Sequence, residues 1–195
     1  MDYMRVIVKE DVPLSAINSL AWNAGWLITD FVPEGRRQAD ALFEEVFTAN
    51  DEATHLRYIE DPTIHLHYFI VSGAQQKGTV REISDAVATY TAADIRELTK
   101  AASTPQQREK ALYLAALATT PETTATTLRY LQDALTTDSV AVRRAAIIAS
   151  VYTGWSELQT TVQRIAGEAT DDDLRKLANQ ALARWAYRSW HDPLS

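Results

Sequence analysis

Apolar positions along this chain change period near its middle. Over the first 90 residues they alternate or run in short blocks; over the remainder they recur every three or four residues. The block Met4-Arg5-Val6-Ile7-Val8-Lys9, closed by Glu10-Asp11-Val12-Pro13, predicts a strand. Pro13 to Ala24 follows as a helix with Leu14, Ile17, Leu20 and Ala21 on one face and Gly25 as its stop. A second strand spans Leu27 to Val32, ended by Pro33-Glu34-Gly35, and residues 36–43 fit a helical turn or a strand lead-in equally. Phe43 to Thr48 is a third strand, and Asn50-Asp51 a turn. His55 to Glu60 and Ile64 to Val71 form a hairpin about Asp61-Pro62-Thr63, completing a meander. Thr79, with Glu82 three residues on, is the capping-box opening of a helix to Tyr90. The predicted fold is therefore α+β: an N-terminal domain over residues 1–90 with a mostly antiparallel sheet and two helices, then a helical domain over 91–195.

The helical half repeats one phrase. Arg108, Arg143 and Arg175 stand 35 and then 32 residues apart, each followed three residues on by an alanine: Ala111, Ala146, Ala178. Ile95 and Val162 both lie 13 residues before their arginine, and Leu98 and Ile165 lie 10 before. A fixed period of this size predicts a short all-α solenoid of three stacked helix pairs. The first helices are Ala92–Ala101, Glu122–Leu135 and Ser156–Glu168; the second are Pro105–Ala118, Ser139–Tyr152 and Asp172–Arg188. Thr104, Asp138 and Asp171 stand 4, 5 and 4 residues before the repeat arginine and are the expected caps.

The capped turn, the apolar residue before Arg143 and Arg175, and the alanine after resemble HEAT-type, armadillo-like repeats. Gln107 departs from the apolar pattern, and the second copy's first helix is offset by about two residues. The resemblance covers about half the chain. It implies a protein-binding scaffold.

Composition narrows the classes. The absence of cysteine excludes disulfides, thiolate zinc sites and a cysteine nucleophile. No apolar run approaches the roughly 20 residues of a membrane helix. Met1-Asp2-Tyr3-Met4-Arg5 leads into a strand rather than a signal core, so the expectation is a cytoplasmic protein without membrane contact. Residues 1–90 hold 7 basic against 14 acidic side chains, a net of −7, whereas residues 91–195 hold 12 of each. That balance argues against nucleic acid and for a basic protein partner.

Chemical motifs are few. His65-Leu66-His67 on one strand would present two imidazoles to one side, the germ of a metal-dependent enzyme or sensor, but no third ligand is evident. Gly73-Ala74-Gln75-Gln76-Lys77-Gly78-Thr79 resembles a phosphate loop with its lysine misplaced before the second glycine. Gly-x-Ser-x-Gly, His-Glu-x-x-His and Gly-x-Gly-x-x-Gly are absent. No catalytic residue, metal site or cofactor is assigned, and the expectation is a non-enzymatic module.

Candidate partner contacts are Glu44, Glu60 and Asp61 in a cleft between the halves, where Tyr90-Thr91-Ala92 carries no Gly/Pro linker. Arg108, Arg143 and Arg175 either form a ladder for an acidic surface or brace their own turns. Trp22 and Trp26 are expected in the core. Trp185, Tyr187 and Trp190 cap the end of the stack, or make Trp185 and Trp190 an aromatic contact patch.

Overall fold

The computed structural model describes residues 3–31 and 42–190; for Phe31 and residues 187–190 only the backbone is described. The chain divides into two compact units, Met1–Thr91 and Ala92–Ser195. The N-terminal unit is α+β and the second is all helical.

The N-terminal unit runs β1 (Tyr3–Val8), α1 (Leu14–Ala24), β2 (Leu27–Phe31), β3 (Phe43–Thr48), β4 (Thr54–Asp61), β5 (Leu66–Gly73) and α2 (Gln76–Ala86). The five strands make an antiparallel sheet in the order β1-β5-β4-β3-β2. The meander β2 to β5 follows the alternation in sequence; β1 joins it by pairing with β5, Val6 opposite Phe69. Val6, Val8, Phe43, Phe47, Leu56, Tyr58, Phe69 and Val71 turn to one face and pack with Ile17, Leu20 and Ala21 of α1 and Ile83 of α2. Period-two strands and period-3.6 helices thus meet in one core.

Three local expectations change. The β4–β5 strands extend to Asp61 and resume at Leu66, so the turn occupies 62–65 rather than 61–63. Asp61 sets it: its carboxylate accepts the Thr63 amide at 2.9 Å. Helix α2 begins at Gln76, placing Thr79 inside the helix and buried, with no capping box. The Thr54 hydroxyl takes the Gln75 amide at 2.9 Å, so a residue 21 positions away replaces the local cap. The same helix stops at Ala86, short of Tyr90, because the following backbone lies along β1: Lys9 N–H donates to Ala88 O and Tyr90 N–H to Ile7 O. The reading of residues 36–43 lies largely outside the described residues.

The helical unit contains α3 (Ala92–Ala101), α4 (Pro105–Leu117), α5 (Thr124–Leu135), α6 (Val140–Thr153), α7 (Ser156–Glu168) and α8 (Asp172–Trp190). Within pairs, α3 packs on α4, α5 on α6 and α7 on α8; between pairs, α4 packs on α6 and α6 on α8. The first helices are one-sided: α7 buries Leu158, Val162 and Ile165, and α5 buries Thr127, Leu131, Ala134 and Leu135. The second helices bury more of their circumference, and Ala111, Ala146 and Ala178 are at most 1% exposed. Alanine at these positions lets neighbouring helix backbones come close.

Candidate functional site

The predicted site residues of the sheet separate into distinct environments. His67 lies on β5, and its Nδ1 is hydrogen-bonded to the Tyr58 hydroxyl on β4 at 2.8 Å. The fully buried Tyr58 also donates to Glu60 Oε1 at 3.3 Å, so one phenol links a half-buried imidazole to a carboxylate. Burial pushes the His67 pKa down, with Glu60, then Glu10 and Asp11, opposing the shift. This is a neutral, ring-packed histidine in a small polar cluster at one end of the helix-covered face.

His65 does not share that setting. It stands in the turn at φ 52, in the left-handed region, with its side chain exposed. The strand alternation that was to align the two imidazoles is therefore lost, because Asp61 places the turn across residue 65. Among the described residues no group of three or more His, Cys, Asp or Glu side chains is arranged to hold a metal ion.

The three acidic candidates do not form one surface. Glu44 is engaged by Arg57 in a fork, Nε to Oε1 at 2.5 Å and Nη2 to Oε2 at 3.0 Å, which keeps the guanidinium firmly charged. Glu60 projects from the opposite face, since its register partner is Phe43 whereas Glu44 pairs with Ile59. Asp61 is only 4% exposed and holds the hairpin turn. It is a structural residue.

In the helical unit three helices open on a side-chain cap. Thr104 accepts from Gln107 N–H, Ser139 from Val142 N–H and Asp171 from Leu174 N–H. Ser139, rather than the expected Asp138, is the second cap. With that correction each cap stands four residues before its arginine, and the backbone amides of Arg108, Arg143 and Arg175 donate to Thr104 O, Ser139 O and Asp171 O, each at 3.0 Å. The arginine side chains then differ. Arg175 Nη1 donates to Ala169 O at 3.0 Å and Nη2 pairs with Asp172, bracing its own turn. Arg143 is half-buried, and its Nε has no hydrogen-bond partner among the described residues. Arg108 is exposed and lies near the half-buried Tyr130 of α5, opposing the rise that burial imposes on that phenol.

No family model, curated protein or solved structure matches this chain.

Of the aromatic candidates, Trp185 is 8% exposed with its indole N–H buried and unpartnered among the described residues. It belongs to the interior of the stack. The side chain of Trp190 lies outside the described residues. Trp26 enters the sheet core, edge-on to Phe47 and Phe69. Trp22 does not: it is 86% exposed, contrary to the expectation of a core position. Helical spacing held the signal, because Trp22 is one residue past Ala21 and five past Ile17, off the buried stripe of Ile17, Leu20 and Ala21.

Proposed function

We propose that this protein is a non-enzymatic protein-interaction module, pairing a HEAT-like stack with an acidic α+β domain to bind and neutralise or regulate a basic protein. What carries the reading is the threefold recurrence of one capped turn, each feeding a second helix packed on its predecessor. Such repeats present extended surfaces assembled from exposed positions of successive units. The net −7 of residues 1–90 supplies the sign: it attracts basic proteins and repels the phosphate backbone of nucleic acids. Among the described residues no helix is long and apolar enough to cross a membrane, and the working compartment in this reading is the cytoplasm.

The test is affinity capture with the full chain as bait in lysate of its native host. The expected result is a basic protein, retained at low salt and progressively released as ionic strength rises. Recovery of no protein partner at either low or moderate salt would overturn the reading.

A further inference from the structure

The three repeat arginines hold one position but differ in what neutralises them. Each stands four residues past its cap, and its backbone amide donates to the carbonyl of that cap residue. In the third unit the side chain is satisfied at home. Asp172, three residues before Arg175, takes Nη2, and Ala169 O takes Nη1. Three residues before Arg108 stands Pro105, and three before Arg143 stands Val140. Neither side chain can accept a hydrogen bond, so the first two units lack the ion pair of the third.

Arg108 is exposed, and neither it nor Arg143 forms an ion pair among the described residues. Arg143 is half-buried, and its buried Nε has no hydrogen-bond partner among the described residues. A buried donor left unmade costs stability, which a carboxylate brought within its reach restores. The acidic residues nearest in sequence do not serve: Glu109 accepts the Tyr113 hydroxyl at 3.0 Å, and Asp138 is exposed in the turn before the Ser139 cap. Pro105 is exposed and Val140 is 36% exposed. Residues three apart are neighbours on a helix, so each arginine has an apolar residue beside it, one turn back. Helix α4 packs on α6, and axes in such contact lie roughly 8–10 Å apart. Two apolar–arginine pairs thus stand at equivalent places on adjoining helices.

We infer that Arg108 and Arg143, with Pro105 and Val140 beside them, form a docking surface on the helical unit for an acidic segment of another protein in which carboxylates alternate with apolar residues. Charge decides the occupant, because each unneutralised guanidinium can receive a carboxylate in a bidentate fork. A segment carrying several carboxylates engages both helices at once and covers Pro105 and Val140, which a lone oxyanion does not. The inference goes beyond the basic-partner reading, which draws on the acidic excess of residues 1–90. Residues 91–195 hold 12 basic and 12 acidic side chains, so the cationic surface here is local.

The probe is a short blocked peptide of alternating glutamate and valine, titrated into the full chain and followed by NMR. Its lysine–valine counterpart and inorganic phosphate are the controls. Saturable shifts of the Arg108 and Arg143 Nε–H signals and of the Val140 amide are expected with the glutamate peptide alone. Arg108→Gln and Arg143→Gln should each weaken binding about tenfold, as loss of one charge-assisted fork does. Arg175→Gln removes an arginine already neutralised by Asp172 and should leave the affinity unchanged. Because Arg143 is half-buried, Arg143→Lys serves as its second variant. It keeps the charge and should bind more tightly than Arg143→Gln, with circular dichroism confirming the fold of each. Equal affinity for the parent and both glutamine variants, shifts confined to other residues, or an equal loss with Arg175→Gln would overturn the assignment. So would the same shifts produced by phosphate at the same concentration, which would make this a general oxyanion site. A concentration-dependent dimer abolished by Arg143→Gln would overturn it too, making a second copy the occupant.

Discussion

The Tyr58 hydroxyl bridges His67 Nδ1 and Glu60 Oε1, at 2.8 and 3.3 Å, inside the helix-covered side of the sheet. The pair His67–Tyr58 is a titratable element on that face, beside Glu60, and its linkage to stability has a definite sign. Burial lowers the His67 pKa below 6.5, so the folded chain binds this proton less readily than the unfolded chain. Its contribution is present above the unfolded value of about 6.5 and is lost as pH falls from there towards the folded value. Stability measured by denaturant unfolding should fall between neutral and mildly acidic pH, and His67→Gln should flatten that fall. Identical pH profiles for parent and variant would remove His67 as its source.

Helix capping gives a sharper test of the corrected repeat. Thr104→Ala, Ser139→Ala and Asp171→Ala should each cost about 1 kcal/mol, because each removes the acceptor for the N3 amide. Asp138→Ala should stay within about 0.5 kcal/mol, since Ser139 carries the cap. Chemical denaturation of the four variants checks the order; a larger loss at Asp138 than at Ser139 would reverse the assignment.

Close helix approach predicts intolerance of bulk. Ala146 and Ala178 are both fully buried, and replacing either by leucine should cost about 1–3 kcal/mol through overpacking. Unchanged melting temperatures for both would show that neither position faces a neighbouring helix.

Two glycines should respond in opposite directions to alanine. At Gly73, φ is 110 and a Cβ would fall 2.0 Å from Ala53 O, so Gly73→Ala should cost about 3 kcal/mol or more. Gly167 lies within α7 with nothing inside 4 Å of such an atom, so Gly167→Ala should add about 0.5–1 kcal/mol through helix propensity. Thermal melts of the two variants supply the comparison.

The tryptophans divide the same way. Trp26→Ala empties a site against Phe47 and Phe69 and should cost about 3–5 kcal/mol. Trp22→Ala removes an exposed ring and should change stability by less than about 0.5 kcal/mol. Equal losses would place Trp22 in the core after all.

Much of the architecture was legible because it rests on local periodicity. The strand from Phe43 to Thr48, the one-sided helix from Leu14 to Ala24, and, among the described residues, the six helices of the second unit follow from which neighbours along the chain are apolar and where a cap or glycine ends the run. The repeat phrase from Arg108 to Arg175 was likewise legible along the chain, since each arginine is followed three residues on by an alanine. Tertiary structure decided what depends on a distant partner. Thr54 captures the Gln75 amide and so starts α2 before its apparent capping box; β1 draws residues 88–90 out of helix; and the turn set by Asp61 takes His65 away from the strand that holds His67. Burial at Asp61 was invisible for the same reason, whereas the place of Trp22 off the Ile17, Leu20 and Ala21 stripe already carried its exposure. Periodicity says which side chains share a face, whereas burial of a single side chain depends on what the rest of the fold brings against it.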